Sequence, residues 1–426
     1  MSAAKDLGVK TLLEKPSEKE YLRAIMHMPV HTENVRRFAA RIRKLEIGRL
    51  LNGQLDLAKQ NIAGITGDEP IDEIIAKAEG PIFDFSSLIA SEAGGAVSLM
   101  GEGAEEYLQY LMDNPREMMG ISTGLARYDR AIGGGIRANS VDIIAARPKV
   151  GKTQLVDNIG LHVAGKVGVP TFNLDTEMTK EEHLHRIAGN LAGVAVYDIE
   201  TGKVGVRDHD RRKVLEAAKQ LKAMPYYYQC IIGSQFEDVL ASMRRWVTRT
   251  VGLEPNGKAK PCVVIYDYLK MMSADFLSGD LQEYQALGFI ATALKNFMGR
   301  YGVGCLCFAQ LNREGIDRED TGVISGSDRI IHYCTSFSIY KWKSDEERAE
   351  PGEASKYSHK LIPIINRHGE GLKAGNYINI QSNYRQGRVT EGPTRDELAS
   401  TAQSPSVQGG GIVIENTNDQ EVSFVS

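Results

Sequence analysis

The chain has 426 residues, 42% of them hydrophobic and 25% charged, with a formal net charge of −4; such a length holds one large domain with a smaller one, or two medium ones. The charge balance excludes a globally basic, histone-like binder, although a ring or groove can keep positive charge local. Five cysteines without a C-x-x-C pair argue against zinc and a disulfide framework, and no apolar run reaches the ~18 residues of a membrane helix.

Residues 1–20 are polar, and Lys5, Lys10, Glu14 and Lys15 leave no apolar stretch of the kind a signal peptide needs, so a cytoplasmic location is expected. From Thr32 the period becomes helical. Val35, Phe38, Ala39, Ile42 and Leu45 fall on one face, with Arg36, Arg37, Arg41, Arg43 and Lys44 around the rest. A second helix is expected over Leu50–Ile62. Asp68-Glu69-Pro70 reads as the start of a third, with Ile71, Ile74, Ile75 and Ala78 on its apolar face and Gly80-Pro81 interrupting it. Residues 1–85 are thus a helical N-terminal region. Residues 86–118 are a linker, Ser-, Ala- and Gly-rich up to residue 103. It carries one amphipathic helix, Ala104–Met112, with Tyr107, Leu108, Leu111 and Met112 apolar. A lone helix between flexible stretches is expected to dock on another surface, such as another subunit.

From about Ile121 the pattern is α/β. Strands are expected at Val141–Ala145, Val169–Leu174, Cys262–Asp267, Val303–Ala309, Phe337–Lys341, Leu361–Asn366 and Tyr377–Gln381. Helical segments separate the first four, which means a mostly parallel sheet covered by helices over residues 119–395. Cys305 and Cys307 should share one face of their strand. Residues 396–426 read as a polar, disordered tail.

The first of these strands runs into Ala146-Arg147-Pro148-Lys149-Val150-Gly151-Lys152-Thr153, and an amphipathic helix follows with Leu155, Val156, Ile159 and Val163 on one face. This is a phosphate-binding loop, G-x-x-x-x-G-K-[ST], with Ala146 in place of the first glycine. Unpaired N–H groups and a partial positive charge at the helix start suit phosphates. Lys152 would reach the β/γ-phosphates of a nucleoside triphosphate such as ATP, and the Thr153 hydroxyl would ligate Mg²⁺. A second acid for the magnesium shell is offered by Asp267, which ends the apolar run Cys262–Tyr266 at the strand edge where ligands of open α/β sheets sit. Hydrolysis also needs a group to orient or deprotonate water. Glu177, after the next strand, is the candidate base and Asp175 its rival. Gln310, at the end of a further strand, can contact the γ-phosphate and pass its presence to the loop Asn312–Arg329. That loop carries Arg313, Arg318 and Arg329 among glycines, a composition suited to phosphodiester backbones.

This combination resembles the DnaB-type replicative DNA helicases of bacteria and their phages. The segments that carry the resemblance are Ala146–Thr153, Leu174-Asp175-Thr176-Glu177-Met178, Ile265–Met272 and Gln310-Leu311-Asn312-Arg313, with the approach Thr123-Gly124-Leu125 and Gly133-Gly134-Gly135. It covers about residues 20–390. It implies a RecA-like P-loop ATPase core preceded by a small helical N-terminal region and a linker helix. It also implies ATP and Mg²⁺, a homo-hexameric ring moving 5′→3′ on single-stranded DNA, and an arginine finger from the neighbouring subunit. Asn366-Arg367-His368-Gly369 matches the finger segment and puts Arg367 in that role. Ser325, Gly326 and Ser327, with Arg313 and Arg329, match the DNA-binding loop. Four departures stand out: Ile365 replaces the usual lysine two residues before the finger, Leu-Asp-Thr-Glu-Met replaces Leu-Glu-Met, Val323-Ile324 replaces more polar residues before the DNA loop, and most of the collar domain that meets primase lacks a counterpart. A phage protein with a shortened front end fits that pattern; primase and a helicase loader are the further partners the resemblance implies. A RecA-like recombinase and a non-unwinding loader or scaffold ATPase are the competing classes.

Overall fold

The computed structural model describes residues 20, 32–66, 74–75, 77–81, 99–269, 283–311, 319, 328–350 and 353–403. The chain divides into two units, Met1–Ser98 and Leu99–Ser426. In the first, α1 is a single helix, Thr32–Ala63, where the sequence suggested two. Gly48 and Gly53 lie inside it without ending it; each costs about 1 kcal/mol against alanine but keeps its ladder N–H. Ile42 and Leu45, on the apolar face of this helix, are exposed. The Asn61 side chain donates to the Lys77 carbonyl (3.3 Å), tying the end of α1 to the helical residues 77–81. The expected helix start at Asp68–Pro70 lies outside the described residues.

The second unit opens with α2, Ala104–Asp113, within a residue of expectation and with no buried residue. After α3 (Ala126–Ala131) come β1 (Val141–Ala146), α4 (Lys152–Leu161), β2 (Thr171–Asp175), α5 (Lys180–Ala192), α6 (Val196–Glu200) and α7 (Asp208–Ala223). Then follow β3 (Tyr226–Cys230), α8 (Phe236–Arg245), β4 (Val263–Asp267), α9 (Glu283–Tyr301), β5 (Gly304–Gln310) and α10 (Asp328–Tyr333). The unit closes with β6 (Ser336–Trp342), α11 (Asp345–Arg348), β7 (His359–Asn366), β8 (Ile378–Asn383), β9 (Arg388–Thr394) and α12 (Arg395–Gln403).

One nine-stranded sheet has the order β3-β2-β4-β5-β1-β6-β7-β8-β9. The six strands from β3 to β6 are parallel, and β7, β8 and β9 run antiparallel to their neighbours. The fold is therefore α/β with a mostly parallel sheet, as expected. Period-two alternation splits its side chains between two cores. Ile143, Val264, Tyr266, Cys305 and Cys307 pack with Trp246 and Leu294 on one face. Ile144, Ile265, Leu306 and Phe308 pack with Leu155, Val156 and Ile159 of α4 on the other. Cys305 and Cys307 thus share a face as expected, and all five cysteines are free.

Two strands escaped the sequence reading, and both are sheet edges. β3 pairs only with β2 and has a mixed burial pattern. β9 contains Gly392-Pro393, which reads as a break but is tolerated on an edge, where a proline's missing N–H leaves no ladder bond unmade. The first residues of the expected tail are ordered. Residues 395–403 are helical, and Glu397 ties α12 back by accepting from the Arg127 side chain and the Thr394 N–H, both at 2.7 Å. Residues 404–426 lie outside the described residues.

Candidate functional site

Parallel strands bring their C-terminal ends to one edge. The register aligns Ala146 of β1 with Gln310 of β5, and Asp175 of β2 with Asp267 of β4. A cavity of about 670 Å³ opens there, lined by the loop Ala146–Thr153 apart from Val150 and by Glu177, Tyr268, Gln310, Arg186 and Tyr384. The volume suits a nucleotide.

The loop shows why alanine replaces glycine at its first position. Ala146 is the last residue of β1, buried and paired on both sides, and needs no unusual backbone. The turn's left-handed residues are instead Lys149 (φ 66°) and Gly151 (φ 89°). A Cβ on Gly151 would lie 2.9 Å from the Tyr384 hydroxyl, so glycine is needed there for space as well as for backbone. The loop is pinned from the antiparallel side. The Val150 carbonyl accepts from the Tyr384 hydroxyl (3.0 Å) and His359 Nε2 (3.1 Å). Burial pushes the His359 imidazole down to about 4, so it is neutral and keeps one ring N–H for that carbonyl. Val150 is itself buried, and the Arg147 guanidinium donates to the Leu311 carbonyl (3.1 Å), joining the loop to the end of β5 beside Gln310.

Lys152 begins α4 and its ammonium sits 2.7 Å from Asp267 Oδ1 and 3.5 Å from the centroid of the Tyr268 ring. Asp267 is 1% exposed. Burial raises its carboxyl above the ordinary range, the Lys152 ammonium opposes this, and Asp175 adds to the rise. The Thr153 hydroxyl approaches the same carboxylate. Neither Asp267 oxygen receives a well-aligned hydrogen bond from the described residues, so the carboxylate has coordination capacity left. A hydroxyl and a carboxylate are the hard oxygen donors Mg²⁺ takes, and the set fits that ion. Among the described residues no group of three or more His, Cys, Asp or Glu could hold a metal unaided. The remaining ligands would be phosphate oxygens and water.

Glu177 is exposed at the cavity wall, while Asp175 is 1% exposed and fully engaged. Asp175 Oδ1 accepts the backbone N–H groups of Glu177 (2.6 Å) and Met178 (2.7 Å), and Oδ2 accepts from His183 Nε2 (2.9 Å). Geometry therefore separates the two candidate bases: Glu177 faces the ligand space, and Asp175 shapes the turn that carries it. Gln310 is exposed at the same wall, next to the phosphate loop.

Arg367 stands at the opposite edge. Its N–H donates to the Thr335 carbonyl (3.0 Å), and Thr335 N–H donates to the carbonyl of Val141, the first residue of β1. The length of β1, roughly 17 Å at ~3.3 Å per residue, separates this edge from Lys152. Arg367 is exposed there, and its guanidinium, after burial, helps lower the pKa of Lys295 in α9. Ile365 joins the margin of the core, and the cations clustered with Arg367 on this edge are Lys295, which sequence spacing does not reveal, and Arg137. Arg313, Ser325, Gly326 and Ser327 lie outside the described residues. Arg329 lies in α10, whose backbone alone is described at that position.

A family model described as the DnaB-like helicase C terminal domain matches residues 120–325. Among curated relatives, "Replicative DNA helicase DnaC" of Bacillus subtilis (strain 168) is 23% identical over 320 residues, 75% of this chain and 67% of that protein. "Replicative DNA helicase DnaB" of Geobacillus stearothermophilus is 24% identical over 316 residues, 74% of this chain and 66% of that protein. The chain thus spans about two thirds of the length of these relatives, and 50% of a probable replicative DNA helicase of Trieres chinensis. Two solved structures share the fold. One, described as an ATPase domain, has a TM-score of 0.60 at 15% identity and covers 70% of this chain and 100% of its own. The other, a DnaB-like replicative helicase described with its interactions with primase, has a TM-score of 0.57 at 16% identity and covers 91% of this chain and 86% of its own.

Proposed function

We propose that the chain, whose residues 120–325 match the DnaB-like helicase C terminal domain, is an ATP-driven replicative DNA helicase, a homo-hexameric ring moving 5′→3′ on single-stranded DNA. The observation that carries this reading is the single sheet edge that gathers Lys152, Thr153, Glu177 and Gln310 around a nucleotide-sized cavity, with Asp267 paired to Lys152 and Arg367 exposed on the opposite edge.

ATP phosphates would lie against the N–H groups of the loop Ala146–Thr153 and the start of α4, where Lys152 turns from Asp267 to the β/γ-phosphates. Thr153 and Asp267 would hold Mg²⁺, which when bound neutralises phosphate charge. Glu177 takes the proton of the attacking water, and Gln310 contacts the γ-phosphate. Arg367, too far from its own chain's loop, serves the site of the next subunit, where a finger in trans is worth roughly 10³–10⁵ in rate. Arg313, Ser325, Gly326, Ser327 and Arg329 are the proposed DNA contacts. Primase and a loader remain the proposed protein partners.

DNA-stimulated ATPase measured together with strand displacement on a forked duplex tests the proposal. Both activities are expected. ATPase without displacement would identify a loader, and filaments on DNA in negative-stain images would identify a recombinase.

A further inference from the structure

We propose that His183 is a positioning residue for hydrolysis, clamping the turn that carries Glu177 to the phosphate-loop helix. The proposal rests on the reading of Glu177 as the base.

Three elements meet at His183. It lies on α5, whose start is fixed by a capping box between Thr179 and Glu182. Its Nδ1 donates to Asp157 Oδ1 (2.6 Å) on α4, one turn after Thr153, and its Nε2 donates to Asp175 Oδ2 (2.9 Å) at the end of β2. The three side chains are 4%, 2% and 1% exposed. An imidazole with both nitrogens facing carboxylates carries both protons, so a cation sits between two buried anions. Without that charge, Asp157 and Asp175 would repel one another in a medium that screens them poorly. The environment is consistent: the flanking carboxylates hold the imidazolium proton to about 10 even though burial works against them.

What the clamp fixes is next to the chemistry. The Asp175 carboxylate that His183 holds by one oxygen caps the N–H groups of Glu177 and Met178 with the other. The Tyr228 hydroxyl donates to the Met178 carbonyl, and its ring lies 5.0 Å from the His183 ring. Thr176 N–H donates to the Asp267 carbonyl (2.8 Å), so the same turn is bonded to the strand of the proposed magnesium ligand. Asp157 adds the third side by anchoring the clamp to the helix whose first residues are Lys152 and Thr153. A displacement of the turn would move Glu177 relative to the γ-phosphate while leaving the phosphate loop in place. Loss of the clamp is therefore expected to lower kcat with little change in nucleotide affinity, since catalytic placement fails over about an ångström.

The test uses the full chain and a double-mutant cycle between His183→Gln and Glu177→Gln. His183→Gln is expected to lower ATPase kcat roughly 10–100-fold, with the Kd for a fluorescent ATP analogue within about twofold of wild type. In the Glu177→Gln background the same change is expected to have no further effect on the residual turnover, read as single-turnover phosphate release at high enzyme concentration, because there is no base left to position. If Glu177→Gln removes turnover while His183→Gln leaves kcat within twofold, the clamp is overturned and the base stands. Equal losses in both backgrounds would make His183 merely structural and also overturn it. Near wild-type turnover in Glu177→Gln overturns the base reading and the clamp with it. Should His183→Gln fail to fold, Asp157→Asn keeps the shape and one acceptor but removes the charge. It is expected to lower kcat only where Glu177 is present, and unchanged kcat would refute the clamp.

Discussion

Lys152→Ala should destabilise the nucleotide-free protein as well as abolish turnover. The lysine's partner, Asp267, is 1% exposed and 2.7 Å from the ammonium, and burial already raises its carboxyl pKa. Removing the cation leaves a buried carboxylate without its counter-charge. Breaking a buried pair from one side costs about 3–5 kcal/mol, and loss of the contact with the Tyr268 ring adds about 1 kcal/mol. Burial already favours the neutral form of this carboxyl, which limits the total, so about 3 kcal/mol is the working figure. At roughly 2–4 °C per kcal/mol for a domain of a few hundred residues, the melting temperature should fall by about 6–12 °C without nucleotide or Mg²⁺. The double variant Lys152→Ala/Asp267→Asn should recover most of that loss, because the orphaned charge is gone. Both variants should lack ATPase activity, which separates the stability effect from catalysis. A Lys152→Ala melting temperature within about a degree of wild type, or a double variant that melts lower than either single one, would refute the reasoning.

Glu177→Gln is expected to bind nucleotide normally and to keep only residual hydrolysis, read by binding of a fluorescent ATP analogue and phosphate release. Arg367→Ala should lower kcat by about 10³-fold with the fold intact, since the side chain is exposed. Mixing it with Lys152→Ala protein should restore partial activity in hetero-oligomers, where intact loops meet intact fingers; no recovery would count against action in trans. Deleting residues 100–115 removes α2, whose Tyr107, Leu108 and Met112 are exposed, and should convert hexamers to monomers in sedimentation; an intact hexamer sinks that idea. His183 gives a pH dependence. Its pKa is 6.5 in the unfolded chain and about 10 when folded, so its contribution is complete below about 6.5 and fades as pH rises toward 10. The melting-temperature gap between wild type and His183→Gln should narrow over that range, with Asp157, Asp175, Arg186 and Tyr228 as the charged or titratable groups around it.

Central strands were legible because burial on both faces demands near-continuous apolar runs, as in Val141–Ala146, interrupted only by Asp142, and Val263–Tyr266. β3 and β9 were not, because an edge strand bonds on one side only and can carry Gln229 or Gly392-Pro393. Lys152, Glu177, Asp267 and Gln310 were legible because parallel strands deliver their C-terminal residues to one edge, a rule that needs no side-chain detail. His183 and Lys295 lay beyond reach. Each acts through partners distant in sequence: Asp157 and Asp175 for the first, Arg367 for the second. No local period or motif marks a helix residue whose role is set by tertiary contact. The Glu177–Asp175 choice shows the same limit. Two residues apart on one turn, they differ only in what packs around them, and only three-dimensional contacts separate the cap from the candidate base.

The placement of Arg367 constrains how the site can be completed. Its backbone is bonded to Thr335, which is bonded to Val141 at the start of β1, whereas Lys152 follows the end of that strand. A rigid central strand lies between them, and no rotamer of an arginine, about 7 Å long, spans roughly 17 Å. The cavity accordingly has Lys152 and Arg186 as cations on its wall with Lys149 and Arg147 of the loop, and Arg367 is not among its residues. An exposed guanidinium that helps lower the pKa of the neighbouring Lys295 is an arrangement that gains energy when an anion arrives from outside. The γ-phosphate end of a nucleotide held by an adjacent subunit is such an anion. On this argument head-to-tail packing is not an ornament of the proposed ring but the step that joins the two halves of the site, and a monomer should bind ATP yet hydrolyse it slowly.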